Sequence, residues 1–100
     1  MRVISQKLRD SARGQDCTLQ LVGVCNHRAE TTVLAHLPCG MGGMGMKSPD
    51  VMAVFACSDC HSEIDHGGIN RLTAREILRA IAKTQMHWIE SGLMTIKGMK

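Results

Sequence analysis

Cys57-Ser58-Asp59-Cys60-His61, with Asp65 and His66 just beyond, sets two thiols and two imidazoles within ten residues. A Cys-x-x-Cys-His run on its own is ambiguous: it can hold zinc, attach a c-type haem or carry out thiol redox chemistry. Its company upstream narrows the choice. Cys17 and Cys25 supply a second thiol pair, and four thiols suit one tetrahedral zinc. Cys39 or His27 could replace one member of that set, so its membership stays open at this level. The haem reading leaves three cysteines unexplained, and one Trp, one Phe and no Tyr give little aromatic bulk to wrap a macrocycle. The redox reading lacks a βαβ frame around Cys57. With zinc on the thiols, His36, His61, Asp65 and His66 are left for other chemistry.

One hundred residues make one small domain, near the size at which a single apolar core supplies only modest stability. A structural zinc offsets that deficit, because its binding free energy acts as folding free energy. The first ten residues have no apolar h-region, and no stretch approaches the roughly 18 apolar residues of a membrane span. A cytoplasmic protein with no membrane partner is expected, in which thiols at these spacings bind metal rather than pair as disulfides. The net charge of +3 permits a nucleic-acid partner without requiring one.

Residues 1–16 read as a basic N-terminal arm carrying Arg2, Lys7, Arg9 and Arg13, either solvated and partly disordered or laid along phosphates. Alternating apolar residues from Cys17 to Cys25 predict a short strand turning at Gly23. Thr31 to Leu37 predicts a better strand, stopped by Pro38, with Thr32, Leu34 and His36 on one face and Val33, Ala35 and Leu37 on the other. Residues 38–50 form a Gly- and Met-rich stretch expected to be a mobile surface loop. Val51 to Ala56 resumes as a buried strand running into Cys57. Ser58 is placed to cap a helix that Gly67-Gly68 would end. In it His61 and Asp65 share a face at i and i+4, whereas His66 lies about 140° round. Thr73-Ala74-Arg75-Glu76 spells a capping box for a helix over 73–91, with Gly92 as its stop. His27 and His87 read as structural or surface residues.

This order of strand, loop, strand and helix brings His36 opposite the His61/Asp65 face. Carried by Val33-Leu34-Ala35-His36-Leu37 and by Cys57 to His61 with Asp65 or His66, it resembles the HNH, or ββα-metal, nucleases. With the Arg-rich start before Cys17 and the phrase Gly23-Val24-Cys25-Asn26, the chain is most similar to a short prophage-encoded HNH nuclease family, over about residues 9–67. The resemblance implies an α+β fold: a small zinc-stabilised ββα-metal core with an added C-terminal helix. It implies a metal-dependent endonuclease that hydrolyses phosphodiester bonds in DNA. His36 would be the general base. His61, with Asp65 or His66, would hold a catalytic divalent cation such as Mg²⁺ or Mn²⁺, beside the structural Zn²⁺ of Cys17, Cys25, Cys57 and Cys60.

Two positions depart from that family's pattern. Ala35 stands where many members carry a metal ligand, and the second strand has no Asn. Asp50 is the nearest polar substitute, as an orienter of the base or as a ligand. The alternative function is a non-catalytic, zinc-stabilised nucleic-acid-binding module, a phage recombination accessory. His36 favours the enzyme, because a purely structural zinc ribbon has no need of it.

Overall fold

In the computed structural model, which describes residues 4–38, 48–67, 70 and 73–99, two short strands organise the chain. Val33–His36 (β1) and Ala53–Ala56 (β2) pair antiparallel in the register Val33↔Ala56, Leu34↔Phe55, Ala35↔Val54 and His36↔Ala53. Side chains alternate across a sheet, so the ribbon feeds two separate cores. Ala35, Val54 and Ala56 join Leu37, Cys57, Cys60, Leu19 and Leu21 on the thiol side. Leu34 and Phe55 face the other way, onto Leu8, Ala12 and Trp88.

The outer edge of β2 is covered. Phe55 donates its N–H to Thr84 Oγ1 at 3.2 Å, and its carbonyl accepts from Thr18 N–H at 2.7 Å and Thr18 Oγ1 at 2.8 Å. A short edge sealed in this way is closed to further pairing.

The stretch from Cys17 to Cys25 is not the strand that its alternation predicts. Cys17, Leu19 and Leu21 are buried in turn, but Gln20 adopts φ 46° and Gly23 φ 76°, which interrupts extended backbone. The Gln20 N–H points at Cys17 Sγ rather than at a neighbouring strand. Sulfur chemistry here outranks ladder formation.

The N-terminal segment departs from the solvated-arm expectation. Gln6–Asp10 is a helix (α1) capped by Ser5, whose Oγ accepts the Leu8 N–H at 3.3 Å. Leu8 and Ala12, four residues apart on one face, are buried against Phe55 and Trp88. That two-residue stripe holds the segment down.

Ser58–Gly67 forms α2, burying Cys60 and Ile64, and Ala74–Glu90 forms α3, burying Ile77, Ala80, Thr84 and Trp88. Trp88 meets the Phe55 ring edge-on at 6.0 Å and donates its indole N–H to Ser11 Oγ at 2.8 Å. His87, read as structural, sits edge-on to the same ring at 5.3 Å. Gly92 ends α3 as expected. At φ 79° it lets its own N–H reach the Ile89 carbonyl and the Leu93 N–H reach the Trp88 carbonyl. The expected capping box does not form. Thr73 Oγ1 accepts the N–H of Asn70, outside the helix, and makes no cap bond to α3.

Residues 39–47, including Cys39 and most of the Gly- and Met-rich stretch, lie outside the described residues, as does Gly68. No described helix is long and apolar enough to cross a membrane.

Candidate functional site: a thiol cluster and a histidine on a buried aspartate

The sulfur atoms of Cys17, Cys25, Cys57 and Cys60 lie within 4.8 Å of one another. The Cys25 and Cys57 sulfurs stand 3.9 Å apart. A tetrahedral zinc with Zn–S bonds of about 2.3 Å needs thiolates about 3.8 Å apart, whereas a disulfide needs about 2.05 Å. The spacing fits the metal, and all four thiols are unpaired. Each pair is shaped as a small knuckle: Gln20 N–H lies 3.4 Å from Cys17 Sγ, and Cys60 N–H lies 3.4 Å from Cys57 Sγ.

The thiols differ in their electrostatics. Burial works to raise the Cys57 thiol, yet the backbone N–H groups of Cys60 and Asn26 bring it down to about 7. Burial pushes Cys25 and Cys60 upward. Metal-free, the cluster therefore favours ionising Cys57 and resists ionising Cys25 and Cys60. Four protein ligands leave no open position, which is the character of a structural site. His27, with φ 55°, lies beside this set, its Nδ1 3.7 Å from Cys25 Sγ.

A second cluster forms at the far end of β1. His36 Nε2 lies 2.7 Å from Asp50 Oδ1. Asp50 is 1 % exposed and accepts three further bonds: Ser5 N–H at 2.6 Å and Arg9 Nε at 3.1 Å on Oδ2, and Arg9 Nη2 at 3.3 Å on Oδ1. Burial works to raise its carboxyl, but the bonds from His36, Ser5 and Arg9 outweigh it and hold the group below its ordinary value. A carboxylate only accepts, so His36 must carry its proton on Nε2, which leaves Nδ1 as the basic nitrogen. Four donors fill the lone pairs of Asp50, two of them from the Arg9 guanidinium. That set suits an orienter and leaves little room for a metal.

His36 lines a cleft of about 210 Å³ together with Arg9, Ala12, Arg13, Thr32, Val33 and Leu34. Neither His61 nor Asp65 lines it. The register fixes only where α2 starts, beyond Ala56 and opposite Val33, with His36 three residues further along β1, and α2 packs against both strands.

On α2 the spacing does bring His61 and Asp65 together, with Nε2 3.2 Å from Oδ2 and both side chains partly exposed. His66 turns back on its own helix, donating Nδ1–H to the Ser62 carbonyl at 2.7 Å. Sequence reading offered Arg9 and Arg13 only as part of an arm laid along phosphates, and Thr32 only as sharing a strand face with His36; it placed none of them at a site. Nothing in the chain's order marks Arg9 as the partner of an aspartate 41 residues away.

Comparison with known proteins places this chain in a family. The family model described as "Putative nuclease YbcO" matches residues 6–93, a span that includes α1 and all of α3. The "Putative nuclease YbcO" of Escherichia coli (strain K12) is 43 % identical over 91 residues, covering 87 % of this chain and 95 % of the relative. The "Putative nuclease ybcO" of Enterobacteria phage 82 gives the same figures. A solved structure of "a putative bacteriophage protein" from Escherichia coli str. K-12 substr. MG1655 is also similar. It is 37 % identical, with a TM-score of 0.65, over 86 % of this chain and 100 % of that one. The chain belongs to the family described as Putative nuclease YbcO.

Proposed function

We propose that this protein is a metal-dependent endonuclease of the HNH type, hydrolysing phosphodiester bonds in DNA with His36 as its general base. The observation that carries the reading is the His36–Asp50 pair. A histidine bound through Nε2 to a buried, multiply bonded carboxylate has a fixed tautomer and a fixed ring plane. Nδ1 is then the atom that takes a proton from attacking water, and Asp50 stabilises the imidazolium that results. Arg9 keeps Asp50 ionised and in place. Family membership with relatives named as nucleases supports the reaction class.

His61 and Asp65 are assigned to the catalytic divalent cation, with His66 as the weaker candidate because its Nδ1–H is already bonded to its own helix. Bound there, Mg²⁺ or Mn²⁺ supplies charge stabilisation to the scissile phosphate and the leaving oxygen. Cys17, Cys25, Cys57 and Cys60 hold a zinc whose contribution is to folding. A cytoplasmic setting, where thiols stay reduced, suits that site.

The test is nicking of supercoiled plasmid across a screen of divalent cations, with zinc content measured on the same samples. Wild-type protein should nick. His36→Ala should retain its zinc and fold while losing about 10²–10⁴-fold in rate, the usual worth of a general base. Wild-type protein that binds DNA but never nicks it would overturn the enzyme in favour of a zinc-stabilised binding module.

A further inference from the structure

We infer that the cleft beside His36 is a binding site for a phosphodiester group of a nucleic-acid backbone, held by Arg13, Arg9 and the hydroxyl of Thr32. The inference deepens the nuclease reading and rests on it for the role of His36, but its evidence is separate.

Two features of the cleft point to an anion. Its charge is one-sided: Arg9 and Arg13 line it, and among the described residues no acidic one does. A cleft of similar size beside the thiol cluster is lined by Asp16 together with Cys17, Cys25 and His27, and offers an anion no guanidinium. Arg13 is the less committed of the two arginines. Its one side-chain partner among the described residues is Asp10 at 3.9 Å, with side chains 84 % and 52 % exposed, a contact that solvent screens heavily. Arg9 uses Nε and Nη2 on Asp50, which leaves others of its five N–H groups to reach outward.

The independent observation is Thr32. It is 5 % exposed, lines the cleft, and its Oγ1 is the one buried side-chain polar atom without a hydrogen-bond partner among the described residues. Buried hydroxyls are nearly always paired, so an orphan in a cleft wall marks a place for a missing acceptor. Oγ1 is shut off from bulk water in this state, and a turn about χ1, which exchanges hydroxyl and methyl, is the motion that offers it to a ligand. A phosphate oxygen is an acceptor that also satisfies the arginines, through paired N–H···O contacts. Seated there, the phosphodiester lies against the same cleft that His36 lines, within reach of the proposed base.

The test is binding of a short fluorescein-labelled DNA duplex, followed by anisotropy with zinc retained and no other divalent cation added, over a salt series. Cleavage is then not needed for the readout. Arg13→Ala should weaken binding at least about fivefold and lower the slope of log K against log salt by about 1, the mark of one lost phosphate contact. Thr32→Val should also weaken binding, yet melt at the same or a higher temperature, since it removes an unpaired buried hydroxyl and keeps the shape. A residue that only supports the fold would show the reverse. Arg79→Ala, on the exposed face of α3, is the control and should leave the slope unchanged.

Unchanged affinity and slope in Arg13→Ala, or a loss in Arg79→Ala as large as in Arg13→Ala, would overturn the site. Binding lost in Arg13→Ala and Thr32→Val, in a protein that never nicks plasmid, would leave the site standing while the nuclease reading falls.

Discussion

Replacing Asp50 by Asn changes one atom and removes one charge, and the structure says which way the new amide must turn. Oδ2 receives Ser5 N–H and Arg9 Nε, neither of which can become an acceptor. Oδ1 receives Arg9 Nη2 and His36 Nε2, and only the imidazole can change its role, by moving its proton. The amide nitrogen therefore turns toward His36, and His36 shifts its proton from Nε2 to Nδ1. The basic nitrogen then no longer faces away from Asp50, and cleavage should fall by about 10²–10⁴-fold, the full contribution of a general base.

Stability falls as well. One charge-assisted bond to a residue 1 % exposed is lost outright, and the others weaken. Such bonds contribute about 1.5–3 kcal/mol each, and the Arg9 share is discounted because that side chain is 37 % exposed. A loss of about 2–3 kcal/mol follows, or roughly 10–20 °C in Tm for a chain of this size. The pH dependence has a defined sign. Asp50 is held below its ordinary value, so its contribution is present above the unfolded carboxylate pKa of about 3.9 and is lost only as pH falls through the lower folded value. The carboxyl's own share of the gap between wild type and Asp50→Asn should therefore persist down to about pH 5. Urea titration of zinc-loaded protein gives the stability, and long-range ¹H–¹⁵N NMR of the imidazole shows which nitrogen carries the proton. A wild-type His36 protonated on Nδ1, or an Asp50→Asn protein within about 0.5 kcal/mol of wild type, would refute the reasoning.

Zinc should be found at one per chain by elemental analysis, and Cys57→Ser or Cys17→Ser should unfold or badly destabilise the protein, as should a strong chelator. Zinc occupancy should fall as pH falls, because burial makes Cys25 and Cys60 hold their protons and the metal must displace them; a competition assay with a chromophoric chelator reads this directly. Cys39 lies outside the described residues, but the other four thiols already lie within 4.8 Å of one another and suffice for one zinc, so Cys39→Ser should leave zinc content and Tm nearly unchanged. Asp65→Ala should reduce plasmid nicking more than His66→Ala, because Asp65 shares its face with His61 whereas His66 is bonded to its own helix.

The parts of this protein that local chemistry specifies were legible in its order of residues. Cys57-x-x-Cys60 announced a knuckle because a helix start aims N–H groups at the first sulfur, and that relation needs only three residues. The alternation around His36 placed Leu34 and Ala35 on opposite faces, and the two cores divide between them as expected. Alternation misled at Cys17, Leu19 and Leu21, where the same burial pattern is produced by a loop bent at Gln20. Thr73 carried the right letters for a cap, but its hydroxyl found Asn70 first. Asp50 could be noted only as a nearby carboxylate. Its bonds to Ser5 and Arg9 join segments 45 and 41 residues apart, and no local pattern encodes a meeting at that distance.

The Trp88–Ser11 bond spans 77 positions and ties the end of α1 to α3, so the segment that brings Arg9 to Asp50 is held from the other end of the chain. Every residue of the Asp50 cluster precedes Cys60, but this clamp on α1 closes only once Trp88 has been made. The sequence has one tryptophan, and it sits in that clamp with its ring edge-on to Phe55, so its fluorescence is a built-in reporter of α1 docking.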